Sequence, residues 1–177
     1  MAAGVREAIA PLVSYAEEHA YPAPGWAEAL IKAHRQSWAA IGGTIANANP
    51  GNSVNWASFF TDFGPWVEPA EGGEISHLPW HHAVYKRSIL LEYGPELETM
   101  LETESILHAD LQARGYRLYL EPAARQSTSA FPCYLPTLGQ CFMPPECGLQ
   151  VAHRSQSGPF FGGCSISAAC LSFHSCV

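Results

Sequence analysis

Leu12–Ala16 is a short apolar run that reads as a strand within residues 10–16, following residues 1–9, which read as the end of a helix. The strand stops at three polar residues, Glu17-Glu18-His19, and the chain then enters a helix over Pro24–Gln36. Trp26, Leu30 and Ala33 give that helix one apolar face, with Glu28, Lys32 and Arg35 elsewhere and a proline near its first turn. Trp38–Asn47 is apolar and strand-like, with Gly42-Gly43 inside it, and Asn47–Asn52 is a turn cluster. Val54–Phe63 is aromatic-rich and reads as a short helix, and Gly64–Ser76 as a loop. A helix over Ser88–Tyr93 ends at Gly94-Pro95. Glu96–Arg114 is a second helical stretch, with Met100, Ile106, Leu107 and Leu111 in near-helical spacing and Gly115 as its cap. Tyr116–Leu120 reads as a strand closed by Glu121-Pro122. Strands separated by helices of crossover length predict an α/β class with a sheet covered by helices. The sequence holds no internal repeat.

The chain's 177 residues suffice for one domain or a piece of one, and a 47% hydrophobic share supplies a core. A net charge of −7 argues against nucleic acid, because no basic patch is present to neutralise phosphates. No apolar run reaches the length of a membrane span, and the N-terminus lacks the apolar core of an export signal. A cytoplasmic location, including the inner membrane face, is therefore expected. Charge is unevenly spread: after Gln126 only Glu146 and Arg154 are charged, and all 6 cysteines lie there. This shift divides the chain into a body, residues 1–125, and a Cys/Ser/Pro-rich tail, residues 126–177, expected to be poorly ordered. A shifted reading frame or wrong gene boundary would produce such a break. The alternatives are a native but poorly ordered tail and a disulfide module. The last conflicts with a cysteine-free body, and the absence of any Cys-x-x-Cys pair argues against a zinc ribbon.

Three clusters carry candidate chemistry. Glu17, Glu18 and His19 sit at the carboxyl end of a strand, where open α/β sheets bind ligands. One or two carboxylates there are the usual way to hold a divalent ion that also touches phosphates. The second cluster is Leu78–Arg87, with His77, His81 and His82 as a candidate transition-metal set. Adjacent histidines on an extended segment face opposite ways, so at most one of the pair would join His77. The third is Glu102-Thr103-Glu104, ahead of Gly115-Tyr116-Arg117. Taken alone, Glu98, Glu102 and Glu104 read as the solvated face of a helix, and Glu17–His19 as a polar helix entrance.

Taken together, over about residues 3–125, these clusters resemble family 2 glycosyltransferases. In that family an apolar strand leads into an Asp-rich metal motif, then Pro-x-Pro-Gly-Trp and a helix. Tyr15–Trp26 occupies that register, with Glu17 and His19 at the outer Asp positions. Tyr85-Lys86-Arg87 matches the family's aromatic and basic pair, while Trp80 and His82 stand where the pattern prefers glycine and asparagine. Counting back from Gly115 puts Glu104 at the catalytic carboxylate, with Thr103 in place of the preceding acid.

The resemblance implies a partial GT-A (Rossmann-like) fold. It also implies transfer of a sugar from a nucleotide-sugar donor to a glycan or lipid-linked acceptor, with Mn²⁺ or Mg²⁺ as cofactor. Glu17, Glu18 and His19 would hold the cation, Glu104 would be the general base, and Trp80, His82 and Tyr85 would contact substrate. Trp80 and Tyr85 would offer apolar faces to a sugar ring. The family's nucleotide-binding front half has no counterpart before Met1, and its histidine after the last strand has none before His153. The chain thus reads as a fragment whose full activity is in doubt. Two rival readings stay open: a non-catalytic glycan- or partner-binding remnant of the fold, and a metal-dependent hydrolase using the histidines.

Overall fold

The computed structural model describes residues 1–79, residues 81–129 and the backbone of residues 168–173. It is mixed α/β. Helices α1 (Ala2–Glu7), α2 (Trp26–Ala33), α3 (Ser53–Phe63), α4 (Arg87–Leu91), α5 (Leu97–Glu102) and α6 (Glu104–Ala113) flank one mixed sheet. Its strands are β1 (Leu12–Glu17), β2 (Ala20–Pro22), β3 (Ala40–Asn47), β4 (Gly73–Glu74), β5 (Ala83–Lys86), β6 (Leu118–Thr128) and β7 (Ala168–Phe173). They lie in the order β2-β6-β3-β5-β1-β7, with β4 also on β6. Only β3 and β6 run parallel, and every other pair is antiparallel.

Alternation along the central strands explains the two covered faces. Val13, Tyr15, Ala40, Ala83 and Tyr85 bury on one side against α1, α4, α5 and α6. Their neighbours Leu12, Ile41 and Val84 bury on the other side against Trp26, Leu30 and Ala33 of α2. His34, just past α2, is buried and its Nε2 stands 3.1 Å from the Val84 carbonyl, which ties the helix to β5. A third cluster joins Phe59 and Phe63 of α3 to Ile45, late in β3, and Leu120, early in β6.

Several elements differ from the sequence expectation. The strand after Gly115 begins at Leu118 and does not stop at Pro122; it runs to Thr128, across the change of composition at Gln126. The register between β3 and β6 slips between Gly43 and Thr44, so Gly43 faces Glu121 and Thr44 faces Arg125. Pro122–Ala124 bulge out of the ladder there, so the missing proline N–H forfeits no bond. The chain after His19 does not go straight to α2: Ala20–Pro22 pairs with the end of β6. The long helical stretch breaks at Thr103 into α5 and α6, and Ile106 of α6 is exposed. Apart from β7, whose backbone lies antiparallel beside β1, the tail beyond Ser129 is outside the described residues, and so are the expectations about its order and disulfides.

The two glycines of β3 mark close approaches. A Cβ on Gly43 would fall onto the carbonyl of Ala124, at the bulge. A Cβ on Gly42 would lie 2.7 Å from Cδ of Pro79 and 3.1 Å from a methyl of Leu78. Gly43→Ala is therefore expected to lower stability by about 1–3 kcal/mol or more, since backbone must move to admit the methyl. Gly51→Ala, on an exposed turn where the added methyl meets only Asn49 Oδ1 at an ordinary 3.8 Å, is expected to stay within about 0.5 kcal/mol of the parent. Urea unfolding of both variants checks this; equal midpoints would contradict it.

Candidate active site

Glu104 opens α6, immediately after the extended Thr103 breaks the helical stretch. Along α6, Glu104, Leu107, His108 and Leu111 are all buried, which is one face of a helix at spacing i, i+3, i+4, i+7. Glu102 is exposed, and Glu98 is bound to the N-terminal amine. The expectation of a single solvated acidic face thus fails for Glu104, which turns inward.

Its carboxylate is held at both oxygens. The Tyr85 hydroxyl donates to Oε1 at 3.1 Å, and the His81 backbone N–H donates to Oε2 at 2.6 Å. The His81 ring Nδ1 lies 3.7 Å from Oε2. Burial pushes the Glu104 carboxyl up, and the two donors and the neighbouring histidines act against that push. Tyr85 is raised well above its ordinary value by burial first and by Glu104 second. It does not offer an open face to a sugar. Its ring is buried, with Tyr15 edge-on at 5.9 Å and His108 nearly coplanar beside it, and its role is that of a donor to Glu104.

The second carboxylate, Glu17, ends β1. Its Oε2 lies 2.9 Å from His19 Nε2 and 3.5 Å from His82 Nε2. Burial opposes its charge, but the His19 and His82 contacts win and hold Glu17 down at about 2. His19 is raised in turn, chiefly by its hydrogen bond to Glu17. His82 is fully buried, with its ring edge-on to Phe63 of α3, and beyond the 3.5 Å approach of Nε2 to Glu17 its ring nitrogens have no hydrogen-bond partner among the described residues. Asp62, also on α3, is raised by burial and by the charge of Glu17.

The turn before β5 connects the two carboxylates. Its Leu78-Pro79 arm packs on Gly42. His81 adopts φ 55, and the His82 N–H returns to the Pro79 carbonyl at 3.2 Å. In this conformation the backbone of His81 faces Glu104 while the next side chain, His82, faces Glu17. The structure therefore brings Glu17, His19, His82, Tyr85 and Glu104 to one region around this turn. Glu18 is exposed and does not join the Glu17–His19 pair, although its charge helps raise His19. Trp80 lies outside the described residues.

The candidate set His77, His81 and His82 does not assemble: among the described residues, no three His, Cys, Asp or Glu side chains are grouped so as to hold a metal. His108 and Asp62 were not anticipated. The i+4 spacing of His108 from Glu104 was the available signal for the first. A separate open cleft of about 410 Å³, lined by Thr44, Glu68, Pro69, Ala70, Pro122 and Arg125, includes none of these residues. Compared with protein-family models and with curated proteins, the chain matches none.

The Glu17–His19 pair sets a pH dependence. Because Glu17 is lowered from 4.5 to about 2 on folding, its contribution is present above pH 4.5 and is lost as pH falls toward about 2. Because His19 is raised above 6.5, its share is full below pH 6.5 and is lost as pH rises through the raised value. Glu17→Gln should therefore cost most stability near pH 5–6 and progressively less on either side. Urea unfolding across pH checks this, and a cost independent of pH would contradict it.

Proposed function

We propose that the chain carries the metal- and acceptor-side machinery of a GT-A-type glycosyltransferase, similar to family 2, which transfers a sugar from a nucleotide-sugar to a hydroxyl of a glycan or lipid-linked acceptor. One observation carries this reading. Two carboxylates of opposite character, Glu17 held ionised and Glu104 raised by burial, are tied to adjacent residues of one turn. Environments that push two acids apart are the usual mark of divided acid–base labour.

Glu104 is the base. The acceptor oxygen attacks the anomeric carbon, the bond from that carbon to the phosphate oxygen breaks, and the hydroxyl proton goes to the Glu104 carboxylate. A sugar hydroxyl is a weak nucleophile, and a carboxylate raised by burial is a better proton acceptor than an exposed one. The nucleoside diphosphate leaves on the Glu17 side. A divalent cation there would act as a Lewis acid on the diphosphate. The donor set fits a cation that arrives with its phosphates: Glu17, with help from His19, supplies fewer protein ligands than a resident metal needs, and phosphate oxygens complete such sites. Histidine beside carboxylate suits Mn²⁺ better than Mg²⁺.

A second reading rests on the closure of Glu104, whose side chain is only 4% exposed. A fold that binds a glycan or partner without turnover has no need for that residue to open. No helix among the described residues is long and apolar enough to cross a membrane.

Titration of the full chain with UDP and with GDP, with and without Mn²⁺, tests the reading by calorimetry. Metal-dependent binding of one nucleotide is expected, lost when Glu17→Ala and His19→Ala are combined. Glu104→Gln should leave that binding intact and cut any sugar transfer by about 10²–10⁴-fold, the loss expected for a general base. Metal-dependent binding unchanged by the double substitution would sink the Glu17–His19 assignment. Glycan binding with no nucleotide binding would favour the second reading.

A further inference from the structure

We propose that His108 is a positioning residue for Glu104: its Nε2–H is donated to the Tyr85 oxygen, which commits the phenol's single proton to Glu104 and keeps that carboxylate ionised and ready to accept a proton. The proposal rests on the reading of Glu104 as the base.

The proton of the Tyr85 hydroxyl can point to only one of its two neighbours. The Tyr85 oxygen stands 2.8 Å from His108 Nε2 and 3.1 Å from Glu104 Oε1. A tyrosine hydroxyl has one proton to donate and lone pairs with which to accept. Two neutral-imidazole arrangements satisfy both contacts. In the first, Nε2–H points to the phenol oxygen and O–H points to an ionised Glu104. In the second, a protonated Glu104 points to the phenol oxygen, O–H points to a bare Nε2, and the imidazole proton sits on Nδ1.

Two observations favour the first arrangement. His108 Nδ1 is buried with no hydrogen-bond partner among the described residues, and a stranded N–H there would be a rarer feature than an unpaired acceptor. The 2.6 Å contact from the His81 N–H to Oε2 is short for a neutral pair and fits a charged acceptor. A neutral imidazole is common to both arrangements: His108 is fully buried, and burial, with His77 nearby, holds it down at about 4.

The titratable groups around this chain of bonds come from several elements. His77 lies edge-on to His108 at 6.4 Å. His81 and His82 flank Glu104 from the turn. Tyr15 of β1 lies against the ring of Tyr85. Among the described residues, the Tyr85 oxygen has hydrogen-bond contacts to His108 and Glu104. The side chains of His108 and Glu104 meet at the Tyr85 oxygen, so the effect of His108 passes through the phenol.

The test uses the full chain with ¹⁵N-labelled histidine and ¹³C-labelled glutamate carboxyls. In the parent, His108 is expected as the Nε2–H tautomer near pH 7; an Nδ1–H tautomer overturns the proposal without any variant. In His108→Phe, the Glu104 titration midpoint should shift up. His108→Gln, whose side-chain amide can still donate to the phenol, should restore it toward the parent. In a Tyr85→Phe background, His108→Phe should add nothing. An unchanged midpoint in His108→Phe, or an equal shift with Tyr85 absent, contradicts the role. None of these readouts needs turnover. A chain with the expected tautomer that shows no metal-dependent nucleotide binding removes the glycosyltransferase reading, whereas the wrong tautomer removes only the role of His108.

Discussion

The candidate site depends on one close approach. Gly42 lacks the side chain that would strike Pro79 and Leu78, so the segment before β5 lies directly against β3. That contact fixes where the chain turns, and the turn fixes which groups of His81 and His82 reach the two acids. A β-branched or even a methyl side chain at position 42 would lift the turn away from the sheet. Its neighbour Gly43 serves a different partner, the bulge of β6, so the two glycines of one strand locate two separate features.

The acids are then handled in opposite ways by the same physical terms. Glu104 is buried and Glu17 half-buried, and burial raises both. At Glu17 the imidazoles of His19 and His82 overcome that term and the group stays ionised far into the acid range. At Glu104 the donors are a backbone amide and a phenol, neither carrying a full charge, and burial prevails. The difference lies in the partners, and the turn assigns them: one histidine gives its main chain, the next its ring. This is a physical route by which a single segment makes one carboxylate fit to stay charged and another fit to take up a proton.

Much of the fold was legible in the sequence because its elements obey simple periods. The strand ending at Glu17, the apolar face of α2 and the strand around Gly42-Gly43 all follow from runs and spacings. The misses have local causes. Pro122 reads as a strand stop, and does so wherever the ladder is regular; a bulge removes its cost, and bulges come from cross-strand register that sequence does not state. The pairing of Ala20–Pro22 depends on the late part of β6, which the same misreading hid. At the site, Glu104 was found by its distance from Gly115, but its burial was readable from Leu107 and Leu111 on the same stripe. His108 shares that stripe and went unremarked because an isolated histidine on an apolar face is most often a satisfied core residue. The division of the two histidines between Glu17 and Glu104 depends on the left-handed backbone of His81, a conformation that histidine adopts more often than most residues but too rarely to be read from sequence.

The amide proton of His81 reports directly on whether the Gly42-seated turn places the carboxylates. In the full chain it should resonate far downfield, as a short bond to an ionised Glu104 requires, and should exchange slowly with solvent. Gly42→Ala, which leaves Glu104 itself untouched, should move that resonance upfield and speed its exchange. A His81 amide with an ordinary shift in the parent, or one that Gly42→Ala leaves unchanged, would contradict the account.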